Sequence, residues 1–330
     1  MPILISDLKV YGTAVMPDDD VVEEIGGAID ESRKPTFADL VVNGLVQGVS
    51  SAPGDTTQAL TVHFKNVAGI ILSETKTLTG QTPVAFAATM RTLMKALKGA
   101  TTAGDVAVEA VTSERTDTAQ GDGGGTDTIQ LDADASAIDH VYLGMVIRIT
   151  GGAGAGQIRE IKSYVGSTRL AYVNRPWGTG IDGTSVFRIA RGLVFDLSPS
   201  EIFEVRRIGY NVAADDAFGA TRHFYEKIFV KNTHASLSLQ SAQVAEFDDP
   251  TGTLTFGVAA SLDDTGTNGP GNTRQVAPAG ITVDNNTKNM ATGELPATAA
   301  QGIWIKQSLP AGASAAKSTY TLQAIGISSA

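Results

Sequence analysis

The sequence contains no cysteine. Disulfides and thiolate metal ligands are therefore excluded, and the folded state rests on burial and hydrogen bonding alone. Charge is also scarce: Asp, Glu, Lys and Arg make up 18% of the chain, where a soluble domain usually carries about a quarter. Long side chains that favour helices are correspondingly few. No stretch approaches the roughly 18 uninterrupted apolar residues that a membrane-spanning helix needs, so no membrane partner is expected. The opening Met1-Pro2-Ile3-Leu4-Ile5-Ser6-Asp7 has no basic segment and does not read as a signal peptide. Metalloprotease H-E-x-x-H, the Gly-x-Ser-x-Gly elbow and the Gly-Lys-Ser/Thr run of a Walker loop are all missing.

What fills the space is glycine, alanine and threonine. There are 36 glycines in 330 residues, and 42% of the chain is hydrophobic, enough for packed cores. Such a mix suits short strands and tight turns. The length fits two or three domains. A net charge of −10 would repel phosphate backbones, so no nucleic-acid partner is expected. It favours solubility, or docking onto a basic surface.

The pattern along the chain predicts a mainly β fold, with two to three small β-sandwich or barrel-like modules and one short helix. Residues 1–112 read as an N-terminal β-sandwich module. In Leu60-Thr61-Val62-His63-Phe64-Lys65 apolar and polar residues alternate with the period of a half-buried strand. The exception lies in Pro83 to Leu97, where Met90, Leu93, Met94 and Leu97 sit at i, i+3, i+4 and i+7, one face of a helix that Gly99 would stop. Residues 113–128, centred on Gly121-Asp122-Gly123-Gly124-Gly125, read as a polar linker or long exposed loop. Residues 129–192 read as a small β module and 193–330 as a C-terminal β-sandwich module. In Ile303-Trp304-Ile305, alternation puts both isoleucines on one face and the indole on the other.

Two segments carry a resemblance. The first runs from Gly144 through Ile147-Arg148-Ile149, the turn Gly154-Ala155-Gly156-Gln157 and the strand Ile158-Arg159-Glu160-Ile161-Lys162. It continues through Tyr164, Gly166-Ser167-Thr168-Arg169 and Asn174-Arg175-Pro176-Trp177. It resembles a β module scattered through tailed-bacteriophage structural proteins, whose usual form is a strand, a Gly-Ala-Gly-Gln turn, an Arg-containing strand, a Tyr with a Gly-Ser-Thr turn, and a late Trp. The second, Ala300–Lys306 with Leu309–Ala313 and Ser318–Leu322, is similar to the C-terminal strands of phage virion proteins. A third, weaker likeness lies in Asp55-Thr56-Thr57-Gln58 and Gly80. The resemblance implies a non-enzymatic virion structural protein of the capsid decoration or fibre type. A decoration or cement protein would stabilise the head by subunit contacts. Its partners would be the major capsid protein or other virion proteins and further copies of itself, with a trimer favoured. It would be located in the virion, after assembly in the host cytoplasm. A tail fibre, baseplate or neck component is the alternative, and a polysaccharide-degrading tail enzyme a further one.

No catalytic residue, cofactor or metal is expected. Gly151–Gly156 follows a strand but leads into another strand rather than a helix, so it reads as a hairpin turn and not a phosphate loop. Gly121–Asp127 partly echoes a calcium-binding repeat but is a single copy, and Asp18-Asp19-Asp20 and Asp248-Asp249 read as solvated turns. The four histidines, at 63, 140, 223 and 234, have no metal-ligand spacing. Trp177 and Trp304 are candidates for stacking on sugars or for core positions. Arg206 and Arg207, near Glu201 and Glu204, are candidates for an intersubunit ion pair.

Overall fold

The computed structural model describes residues 3, 7–16, 24–36, 41–195, 201–205, 219–249, 252–312 and 321–328. Among these, the chain forms 25 strands and no α-helix. By contact it divides into two compact units, residues 1–39 with 204–330, and residues 40–203. The division does not follow chain order, because the first strand pairs with one more than 200 residues later.

In the first unit, β1 (Leu8–Val15), β2 (Gly26–Asp30), β19 (Arg222–Asn232), β21 (Leu254–Leu262) and β24 (Ala300–Leu309) form a five-stranded sheet, ordered β2-β1-β19-β24-β21. A second sheet holds β20 (Leu239–Asp248), flanked by the short β22 (Lys288–Asn289) and β23 (Glu294–Leu295) and by β25 (Thr321–Ser328). Ile303 and Ile305 of β24 pack with Phe256, Val244 and Leu254 in one core, while Trp304 turns to the opposite face against Ile25 and Tyr225. The alternation expected from the sequence is therefore present, with both faces covered.

In the second unit, β5 (Val46–Ser50), β8 (Val84–Ala85), β10 (Val106–Ala110) and β17 (Gly192–Phe195) form a sheet ordered β17-β10-β5-β8. A six-stranded sheet is ordered β11-β16-β13-β14-β15-β12, from β11 (Arg115–Thr118), β12 (Thr128–Gln130), β13 (Val146–Gly151), β14 (Ile158–Val165), β15 (Leu170–Val173) and β16 (Val186–Ala190). Just beyond β11, Gln120 and Gly121 exchange backbone bonds with Gln130 of β12, so the two ends of this sheet meet. Its inner face carries Ile147, Ile149, Ile161, Phe187 and Ile189. The other face of β13 and β14 presents Val146 and Ile158 to Val49 and Ala107 of the four-stranded sheet. A third group pairs β6 (Ala59–Lys65) with β7 (Ile71–Thr77) and β9 (Met90–Lys98), and β9 with β4 (Val41–Gly44). The remaining strands are β3 (Arg33–Thr36) and β18 (Glu201–Val205).

Two sequence expectations are corrected. The helix over 83–97 is absent: Met90–Lys98 is strand β9, antiparallel to β6. Register shifts interrupt its pairing, one skipping Met94 opposite His63/Phe64 and another between its Val41 and Gly44 partners. A bulge inserts one residue and moves the buried phase by one position. The Met94 bulge separates the buried Leu93 from the buried Ala96 and Lys98 by an odd step, while Met94 and Leu97 of the expected helical face are only partly buried. The polar segment 113–128 is no free linker either. Arg115–Thr118 pairs with β16, and Ala119 and Thr128 are buried. Backbone ladder bonds need no apolar side chain, so a Thr/Asp-rich segment can serve as a strand. Within it Gly123 has a left-handed φ of 73°, and a Cβ there would run into Leu170.

Candidate functional site

The segment that carries the phage resemblance folds as one bonded network. The turn 151–157 closes the β13–β14 hairpin through Gly156 N–H donating to Ile149 O at 2.8 Å. From that turn Gln157 reaches across to the loop before β16. Its Oε1 accepts the Gly178 N–H at 2.5 Å and the Thr179 N–H at 3.1 Å, and its Nε2 donates to Thr179 O at 2.8 Å. Arg159 donates to Pro176 O at 2.8 Å and to Asp105 Oδ2 at 3.0 Å, and its guanidinium lies 5.3 Å from the Trp177 ring centre. Burial pushes the Arg159 pKa below its ordinary value. Trp177 Nε1 donates to Thr128 O at 2.9 Å. Tyr164 meets Tyr142 edge-on and donates its hydroxyl proton to Ser136 O at 2.5 Å. Gln157, Arg159, Tyr164 and Trp177 thus hold the module's loops to its sheet.

Both tryptophans are core residues, Trp177 at 7% and Trp304 at 2% exposure. A ring so enclosed has no open face for a sugar to stack on. Trp304 stands opposite Lys227 in the β19–β24 register, and the Lys227 Nζ lies 5.6 Å from its ring centre. Lys227 is itself fully buried and donates to Gly27 O and Gly266 O at 2.9 Å each and to Asp264 Oδ2 at 2.6 Å. Burial lowers the Lys227 pKa against the opposing pull of Asp264. With the Asp264 carbonyl at 3.3 Å as a fourth acceptor, the three Lys227 donors are fully engaged, the arrangement of a structural ammonium rather than of a free amine nucleophile. Arg206 and Arg207 lie outside the described residues.

A second cluster lies where the four-stranded and six-stranded sheets of the 40–203 unit face each other. Glu109 Oε1 accepts from Gln47 Nε2 at 2.8 Å and from Arg148 at 3.1 Å, and lies 3.0 Å from Arg188. Asp105 is paired with both Arg159 and Arg175. Burial lowers the Arg188 pKa, and Glu109 works in the opposite direction. A cavity of about 10 Å³ beside Glu109, lined by Val46, Leu93 and Val108, is the size of one water.

No protein-family model, curated protein or solved structure matches this chain.

Among the described residues, no three or more His, Asp or Glu side chains are grouped to hold a metal ion. Asp122 of the calcium-like segment instead accepts the Gly124 N–H at 2.9 Å, closing its own turn. His223 contacts Ser308 Oγ at 3.0 Å, and burial with the nearby Lys306 lowers its pKa. Sequence reasoning passed over Asp105, Glu109, Arg148, Arg188 and Lys227. The available signal was a lone charge inside an apolar strand, as in Val106-Ala107-Val108-Glu109-Ala110, where all five residues are buried. The exposed chemistry is of another kind. Where β6 turns into β7, Val67 is 72% and Ile70 57% exposed, with Ile71 and Leu72 also in solvent. Asn66 Oδ1 holds this tip by accepting the Ala68 and Ile70 N–H groups at 3.0 Å each.

Proposed function

We propose that the chain is a non-enzymatic structural protein of a tailed-phage particle, built from small β-sandwich and barrel-like modules. Its most concrete place is as a decoration or cement protein on the outer face of the head. The observation that carries this reading is the fate of the phage-like motif. Gln157, Tyr164 and Trp177 bond to the turns and strands around their own six-stranded sheet, and Arg159 bonds both to Pro176 there and to Asp105 beside the four-stranded sheet, so the motif serves as a scaffold lock. The six-stranded sheet whose two ends meet supports a barrel-like reading of that module. Such a protein works by area, with standard interfaces of about 1,600 Å² repeated over a lattice so that avidity replaces any single strong contact. Its partners are the major capsid protein or neighbouring virion proteins, and further copies of itself.

Immunogold labelling of intact particles, with antibody raised to this chain, tests the assignment. Gold spread over the head is the expected result. Gold confined to the tail, neck or baseplate would overturn the decoration assignment in favour of a tail component. Intact particles that carry no label, and yield no such chain on denaturing gels, would overturn the virion reading as a whole.

A further inference from the structure

Strand β7 ends its sheet, with β6 on one side and no strand on the other among the described residues. The Asn66–Ile70 and Leu78–Gln58 backbone bonds mark the even-numbered residues of β7 as those bonded to β6. In an antiparallel ladder the alternate residues direct N–H and C=O the other way. Ile71, Ser73, Thr75 and Thr77 therefore point theirs into solvent, and all four are exposed. Natural edges are usually blunted by proline, bulges or several lysines. This strand has no proline and no bulge against β6, and its charges are Lys76 and a half-buried Glu74 that also accepts the Ala87 and Ala88 N–H groups. Among the other edges, β2 and β21 are bridged by Thr267 and Asp284, the four-residue β11 carries Arg115 and Asp117, and the pairing of β25 with β20 is broken by two register shifts.

We propose that β7 is a homotypic docking edge, pairing antiparallel with β7 of a second copy across a two-fold axis through Thr75. Charge selects this register. With Thr75 opposite Thr75 of the second copy, Glu74 faces Lys76 of that copy and Lys76 faces its Glu74. A shift of the axis by one residue sets Glu74 against Glu74 or Lys76 against Lys76, which is unfavourable. Glu74 and Lys76 already lie on one face, 3.1 Å apart within the chain, so the dimer forms an alternating four-charge row. About six backbone hydrogen bonds would form, from the Thr75–Thr75 pair and the two Ser73–Thr77 pairs. The contact is isologous and closes at two copies. It is small beside a standard interface, so it is weak in isolation and effective between chains already held side by side. It does not depend on the virion assignment.

The absence of cysteine gives a direct test on the full chain. Thr75→Cys places the introduced thiol opposite itself, at a Cα separation of about 5.5 Å that a disulfide can span. Thr77→Cys places its two thiols four residues apart along the ladder, about 13 Å. Mild oxidation followed by non-reducing gels should give cross-linked dimer at least about tenfold faster for the first variant than for the second. Sedimentation velocity should show concentration-dependent dimer for the native chain. Thr75→Pro, which removes the outward N–H together with the exposed Thr75–Thr61 hydroxyl bond and leaves the ladder bonds to β6, should abolish it. Equal cross-linking of the two cysteine variants, a native chain that stays monomeric at every concentration, or a dimer unaffected by Thr75→Pro would each overturn the proposal.

Discussion

Arg148 and Arg188 stand directly opposite each other on the paired strands β13 and β16, and the carboxylate that reconciles them, Glu109 Oε1, comes from another sheet at 3.1 and 3.0 Å. Two like charges in direct cross-strand register repel. A buried carboxylate between them turns the repulsion into a tie between sheets. Glu109→Gln leaves both guanidiniums buried without a counter-charge and should cost about 3–5 kcal/mol. Urea unfolding monitored by circular dichroism would measure it as a lowered midpoint with an unchanged slope.

Lys227 plays the equivalent part in the other unit, joining Gly27, Asp264 and Gly266 beneath Trp304. Lys227→Met keeps the bulk but strands the Asp264 carboxylate and the carbonyls of Gly27, Asp264 and Gly266, with an expected loss of about 3–5 kcal/mol. Adding Asp264→Asn should recover part of that loss, because the uncompensated charge is then removed. Thermal melts of the single and double variants check both expectations.

Trp177→Phe removes the indole donor to Thr128 O and reduces the surface under Arg159. The orphaned buried carbonyl should lower stability by about 1–3 kcal/mol. Hydrogen exchange should locate the loosening at Thr128 and the loop around Pro176, with β19 and β24 unaffected.

Asp55 gives the acid limb of stability a specific contributor. Burial pushes its pKa up, but donated bonds from Ser50 Oγ and from the Ala103 and Gly104 N–H groups, with Lys98 nearby, outweigh burial and hold it below the ordinary 3.8. A carboxylate depressed in the folded state stabilises fully above its unfolded value. That contribution is lost as pH falls below 3.8 and through the lower folded value. Asp55→Asn should therefore lower the melting temperature at pH 7, and the difference from the native chain should shrink between pH 4 and pH 2. A gap that stays constant over that range would show that Asp55 does not act through its charge.

Much of the strand content is readable from period-two alternation, because each strand's burial depends on its own residues. Ala59–Lys65 is strand β6 with the bounds its alternation suggests. Ile303 and Ile305 separate from Trp304 as their spacing requires. The false helix at Met90–Leu97 shows the limit, since the bulge at Met94 that shifts the phase is a property of pairing with β6, not of β9 alone. The polar segment around Arg115 shows the other limit. Its strand exists because β16 presents an edge to it.

Composition and local pattern by themselves determined that the chain is mainly β, that it has no disulfide, and that Gly151–Gly156 is a turn between strands. Tertiary structure alone decided which distant strands meet and which charges are buried together. Glu109 and Arg148 lie 39 residues apart in the chain, and Lys227 lies 200 from Gly27. Alternation is imposed by the geometry of one extended segment. A buried ion pair exists only once two segments have been brought out of water together, and nothing in either segment alone records the other.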